Sequence, residues 1–284
     1  MEEIKSRAKH LFCAVTLSTI YNKFLKDSYH LSYESGLYRQ ADLIKIIRDT
    51  VIHFALTPQE LAQIDAESLA KLQSRAWKRI SNRPKEKKGD YGELLLFLIL
   101  QVFYPARKII TKVRLRSSLN DEIKGYDCAH FSIDNGEICL WLGEAKFHQD
   151  FSSAIFKAVE SINDHISDKA IKDELTILES NNTEIEENDR ILLEEYFNSG
   201  ISLDKMKFKI PILITFDSSI VGNHKDVCEA FTKDLHLELD GKYKIIDGKT
   251  INIKSNIELH FILLPLQAVK EIKEELEKIE SAFK

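Results

Sequence analysis

Residues 125–149, GYDCAHFSIDNGEICLWLGEAKFHQ, constrain the fold more than any other stretch of the chain. At their centre, Asn135-Gly136 is the strongest short signal for a β-hairpin, because a type I′ turn needs positive φ at both central positions. A two-residue turn fixes the register of both strands. Asp134 pairs with Glu137 and Ile133 with Ile138, and the same pairing carried outward sets Asp127 opposite Glu144, on one side of the sheet. Lys146, two residues beyond Glu144, points to that same side. The second strand is otherwise apolar on both faces, with Ile138, Leu140 and Leu142 on one and Cys139, Trp141 and Ala145 on the other. A strand of that kind is central and covered.

Two directly opposed carboxylates repel each other, so a charged trio on a covered strand needs a compensating partner. A divalent cation between Asp127 and Glu144 would meet that need, with water filling its remaining positions. Mg²⁺, or Mn²⁺ in its place, would then activate a water and neutralise charge developing at a phosphoryl centre. Lys146 would stabilise the anionic transition state beside it. Glu93, at the start of a nearly all-apolar helix over 91–104 (YGELLLFLILQVFY), would supply a third carboxylate. The blander alternative is a rim salt bridge, with Lys146 paired to Glu144 where the strands leave the core.

The rest of the chain frames this hairpin. Its 284 residues suffice for one large domain or two small ones. Residues 1–80 read as a mainly helical N-terminal region, with Thr57 as N-cap and Pro58 as first residue of one helix. Residues 81–284 read as an α/β domain with a mixed central sheet flanked by helices. Its further strands fall at 108–116, 207–216 and 257–264, its helices at 150–170, 223–235 and 267–283, and a hairpin is expected over 243–253, turning at Asp247-Gly248. No apolar run reaches the ~18–20 residues that a spanning helix needs, so no membrane partner is expected. The run at 11–21 follows Glu2 and Glu3 and precedes no small-residue cleavage site, so it reads as a buried strand or helix rather than a signal peptide. Four scattered cysteines without a C-x-x-C pair argue against a zinc site or a disulfide framework and suggest the cytoplasm.

Charge is unevenly placed. The net charge is −5, yet Arg75–Arg116 holds twelve Lys/Arg against three acids, leaving that segment at +9 and the remainder at −14. The segment leads into the candidate site, and Lys85, Lys87, Lys88, Arg114 and Arg116 are its candidate nucleic-acid contacts, against the plainer reading of a solvated face. Gly248-Lys249-Thr250 lacks the first glycine of a phosphate-binding loop, since residue 243 is tyrosine. There is no G-x-S-x-G and no convincing Cys/His arrangement for covalent catalysis.

Gly125-Tyr126-Asp127 followed by Glu144-Ala145-Lys146 resembles the PD-(D/E)xK nuclease superfamily, with Tyr126 where proline is usual. Glu93 in G-E-L-L-L-F resembles that superfamily's helix carboxylate, and Gln149 resembles a glutamine some members carry after the motif. More narrowly, G-D-Y-G-E-L, K-G-Y-D and W-L-G-E-A-K-F, with their spacing, resemble the HamA family of nuclease subunits in Hachiman anti-phage defence. That resemblance implies a restriction-endonuclease-like core and a metal-dependent DNA endonuclease. It also implies a helicase partner resembling HamB, which restrains the nuclease until aberrant DNA is met. Two rivals remain at this point. One is a stand-alone restriction- or repair-type nuclease, and the other is a non-catalytic scaffold for a helicase.

Overall fold

The computed structural model describes residues 1–17, 24–62, 69–80, 89–115, 125–181 and 185–283. The N-terminal region opens with α1 (Glu2–Leu11), β1 (Phe12–Ala14), β2 (Leu25–Leu31) and a two-stranded hairpin of β3 (Tyr33–Glu34) and β4 (Leu37–Tyr38). Three helices follow, α2 (Gln40–Ala55), α3 (Pro58–Leu61) and α4 (Leu69–Arg79). Thr57 caps α3 as its sequence suggests. Its side chain accepts from the Glu60 N–H while Glu60 reaches back to the Thr57 N–H, a reciprocal capping box with Pro58 in the first turn.

Next come α5 (Asp90–Phe103), β5 (Arg107–Thr111) and the single turn α6 (Lys112–Leu115). The central hairpin is β6 (Cys128–Asp134) and β7 (Glu137–Phe147), with Asn135 and Gly136 both at positive φ (53° and 82°) as a type I′ turn requires. Helices α7 (Phe151–His165), α8 (Asp168–Asn181) and α9 (Glu187–Asn198) separate it from β8 (Lys207–Asp217). The chain then runs through α10 (Ser219–Asn223), α11 (Glu229–Asp247), β9 (Ile257–Leu266) and α12 (Val269–Phe283).

Seven strands form one mixed sheet in the order β1-β2-β9-β8-β7-β6-β5. The β2-β9, β9-β8 and β8-β7 pairs are parallel, and the β1-β2, β7-β6 and β6-β5 pairs antiparallel. The mainly helical N-terminal region therefore also supplies two strands, because β2 pairs with β9 from Leu25↔His260 to Ser28↔Leu263. No local pattern announces that pairing across more than 200 residues. The strand expected over 108–116 stops at Thr111, where α6 begins.

The hairpin expected over 243–253 is not present. Phe231, Leu235, Leu239, Tyr243 and Ile246 are all buried on one face of α11, a helical spacing that carries the helix to Asp247. Gly248 follows it as the C-cap. The Tyr243 hydroxyl is shared with Ser28 Oγ at 2.6 Å and donates to the Asp27 carbonyl, tying α11 to β2.

Helix α5 is buried along nearly its whole length, between the sheet and α1 and α2. It lies against β7 at Gly92. A Cβ there would stand 2.9 Å from Phe147 Cβ and 3.5 Å from Ala145 Cβ. This contact sets the helix start, and with it Glu93, against the end of β7. Neither Cβ can rotate aside, so Gly92→Ala is expected to cost about 1–3 kcal/mol by overpacking. That exceeds the roughly 1 kcal/mol gained in helix propensity. A lowered denaturant midpoint at unchanged slope is the expected reading, and an unchanged or raised midpoint would mean that α5 and β7 pack more loosely.

Candidate active site

The β6-β7 ladder has the register that the turn dictates, from Asp134↔Glu137 through Ile133↔Ile138 to Cys128↔Gly143. One step further it changes. The Asp127 N–H donates to the Gly143 carbonyl at 2.9 Å, and Asp127 Oδ2 accepts from the Ala145 N–H at 2.9 Å. The aspartate side chain thus takes over a backbone partner where the ladder slips. Asp127 and Glu144 remain electrostatic neighbours without forming a plain opposed pair.

Glu144 is 3% exposed and sits on β7 opposite Ile212 of β8. Lys146 donates to its Oε1, and the Ser161 hydroxyl of α7 donates to the same oxygen at 2.9 Å. Burial first, and the Asp127 charge second, push the Glu144 pKa up to about 7 against the pull of Lys146 and Ser161. The Lys146–Glu144 ion pair of the simpler alternative is therefore present, but in the interior of the sheet and beside a second carboxylate. Glu93, 4% exposed on α5, joins them, since its charge bears on both Lys112 and Cys128 together with those of Asp127 and Glu144. All four residues expected at the site, Glu93, Asp127, Glu144 and Lys146, are brought together.

Three further members have no motif to announce them. Lys112 of α6 donates to Asp127 Oδ1 at 3.3 Å. Burial pushes its ammonium down, but Asp127, Glu93 and Glu144 together outweigh burial and hold its pKa above the ordinary value. Glu174 of α8 accepts from the Tyr126 N–H and is pushed up to about 7, chiefly by burial. It reaches that N–H because residue 125 has no side chain: a Cβ on Gly125, at φ +112°, would stand 2.5 Å from Glu174 Oε2. His165, whose Nδ1 lies 3.5 Å from Ser161 Oγ, is lowered by burial and then by Lys112. Only the charge of Lys112, within the basic segment, was visible beforehand.

The basic segment divides. Arg79 is bidentate on Glu60, Arg107 pairs with Asp189 at 2.7 Å, and Lys108 donates to the carbonyls of His53, Phe54 and Leu56. These cations serve the fold. Lys85, Lys87, Lys88 and Arg116 lie outside the described residues, as does the side chain of Arg114. Another group of lysines flanks the site instead, for His148 is pushed down to about 4 by burial and then by Lys157, Lys273 and Lys146. Gln149 donates to Asp217 at 3.3 Å.

A family model described as HamA matches residues 9–279. The chain belongs to the HamA family. This makes it a component of a Hachiman defence system, with a partner in that system. No curated protein matches the chain. Among the described residues, no helix is long and apolar enough to cross a membrane.

The donor set of this HamA-family chain suits a hard divalent cation, because Asp127 and Glu144 offer carboxylate oxygens and no thiolate or imidazole is needed. Among the described residues no group of three or more His, Cys, Asp or Glu side chains is placed to hold a metal by itself. Two carboxylates, Asp127 and Glu144, are therefore the groups that would hold it.

The raised Glu144 pKa has a consequence for stability. Below its ordinary value of 4.5 the group is protonated in both states and costs nothing, and as pH rises through about 7 the ionised form destabilises the metal-free fold. Glu144→Gln removes that penalty. In EDTA at pH 8 the mutant is expected to be more stable than the parent by on the order of 1–3 kcal/mol, at roughly 1.4 kcal/mol per pKa unit. The gap should close toward pH 5, as read by denaturant midpoints. Excess Mg²⁺ should raise the parent alone. A mutant less stable at pH 8 would mean that Lys146 and Ser161 fully offset the burial of Glu144.

Proposed function

We propose that the chain is a divalent-metal-dependent DNA endonuclease, the effector of a Hachiman complex that also contains a helicase subunit resembling HamB. One observation carries this reading: an ionisable Glu144, buried beside Asp127 in the middle of a sheet, with Lys146 on its oxygen. A buried pair of like charges costs stability and suits a site built to receive a cation and a phosphodiester.

Asp127 and Glu144 would hold Mg²⁺ or Mn²⁺, which supplies a Lewis acid and a water of lowered pKa when bound. The protein's own groups do the rest. The Ala145 N–H fixes one oxygen of Asp127, and Ser161 fixes one oxygen of Glu144, so neither carboxylate is free to swing. Lys146 places an ammonium where negative charge grows on the phosphoryl oxygens, a contribution worth about 3–4 kcal/mol for a single well-placed donor. Lys157, exposed on α7, acts electrostatically on His148, two residues past Lys146, and would be the cation beside a flanking phosphate.

The helicase partner is what the family resemblance implies, and the chain's charge is compatible with it. The net charge is −5, and among the described residues Arg79, Arg107, Lys108 and Lys112 of the basic segment already have acceptors within the chain. A helicase that tracks DNA would supply the grip and restrain the nuclease.

Cleavage should need a divalent cation and should fall by at least about 10³-fold in Glu144→Ala and in Lys146→Ala with the fold retained. Circular dichroism and a plasmid-nicking assay in Mg²⁺ and in EDTA check this, and cutting by both variants at the parent's rate would remove the nuclease assignment from these residues. The chain without its partner should bind duplex DNA weakly and with steep salt dependence. Charge reversal at Lys85, Lys87 and Lys88 should flatten the log–log slope by up to about 0.9 for each lysine that contacts a phosphate. Tight, salt-insensitive binding by the isolated chain would remove the need for a partner's grip.

A further inference from the structure

Glu174 is a buried acid to which the proposed reaction gives no part. It is 6% exposed on α8, in one stripe with the buried Ile171, Leu175 and Leu178. That spacing is the core face of an amphipathic helix, which an apolar side chain at 174 would complete. A carboxylate there is costly, and burial pushes its pKa up to about 7. Among the described residues no group of three or more His, Cys, Asp or Glu is placed to hold a metal, so Glu174 has no place as a further ligand.

Its partner is a backbone group, the Tyr126 N–H. The peptide that carries this N–H is held at its other end too, because the Gly125 carbonyl accepts from Lys112 Nζ at 3.4 Å. The approach of Glu174 depends on the bare backbone at Gly125, where a Cβ would stand 2.5 Å from Glu174 Oε2. It also depends on an N–H at residue 126, which a proline would lack. Tyr126 is fixed at its far end as well, since its hydroxyl donates to the His165 carbonyl at 3.3 Å. All this lies one residue ahead of Asp127, beyond the last regular pair of the hairpin ladder, Cys128↔Gly143. The direction in which the chain enters Asp127 therefore depends on what grips the Gly125–Tyr126 peptide.

Resting on the metal-nuclease reading above, we propose that Glu174 is a positioning residue: from α8 it clamps the Gly125–Tyr126 peptide opposite Lys112, and so sets the Asp127 carboxylate for the divalent ion without touching that ion. The hydrogen bond, rather than the charge of Glu174, is what the site uses.

The test reads metal affinity beside stability. Mn²⁺ is titrated into the full chain and followed by calorimetry and by the electron paramagnetic resonance of the free ion, with thermal melts in EDTA alongside. Glu174→Gln removes the charge and keeps an oxygen that can accept from the Tyr126 N–H. Glu174→Leu keeps the bulk and removes the acceptor. Glu174→Leu should bind Mn²⁺ at least about tenfold more weakly than the parent, the loss usual when a group that orients a metal ligand is removed. Glu174→Gln should bind it nearly as tightly as the parent. If Glu174→Leu does not fold in the EDTA melts, Glu174→Ala takes its place with the same expected loss. Equal weakening in the Gln and Leu variants would make the charge of Glu174 the active factor. Mn²⁺ bound by Glu174→Leu at the parent's affinity, whatever its melt, would leave Glu174 a residue of the fold alone. Either result would overturn the proposal and leave the nuclease reading standing. A parent that binds no Mn²⁺ and cuts no DNA would overturn the nuclease reading and this inference with it.

Discussion

Burying two carboxylates side by side in an apolar sheet is the constraint around which the centre of this molecule is built. An ionised group removed from water costs several kcal/mol unless hydrogen bonds and opposite charge restore what solvent supplied. Each carboxylate here is met twice. Asp127 has the Ala145 N–H and Lys112, and Glu144 has Lys146 and Ser161. The compensation is incomplete for Glu144, whose pKa stays raised to about 7. A purely structural pair would be more stable replaced by apolar side chains of similar volume. What remains uncompensated is what, on the proposed function, a cation and a phosphate would draw on.

Meeting that constraint draws in segments far apart along the chain. Helix α5 brings Glu93 because Gly92 lets it close on Phe147 and Ala145. Helix α7 brings Ser161 and His165, and α6 brings Lys112 as soon as β5 ends. Helix α8 brings Glu174 beneath Gly125, where its carboxylate takes the Tyr126 N–H. The segment just ahead of Asp127 is thus held from outside the hairpin as well as by the ladder.

The basic stretch shows how charge in a sequence differs from charge on a surface. As a run it reads as one patch for phosphates. In the fold, Arg79 closes on Glu60, Arg107 on Asp189, Lys108 on three carbonyls and Lys112 on Asp127. Lysines from α7 and α12 gather around His148 instead. Linear density of charge counts side chains, whereas a field depends on which of them still face water.

The hairpin and its charged trio were legible from the residues alone, because Asn135-Gly136 forces the turn and alternation then fixes which side chains share a face. Capping at Thr57 and the buried helix over 90–103 were legible for the same reason, since both are set by neighbours within a few positions. Family membership, too, rested on short motifs that survive in one dimension. The slip of the ladder at Asp127 was not legible, because it depends on a side chain competing with the backbone for the Ala145 N–H. Nor was the strand at 25–31, which exists by pairing with β9, or the helical end of α11, where Asp247-Gly248 has the composition of a hairpin turn but Tyr243 and Ile246 are held in the core. Lys112, Glu174, Ser161 and His165 carry no motif. Only the packing of α6, α7 and α8 against the hairpin decided their place, since a buried carboxylate takes whatever donor or cation the fold sets within reach.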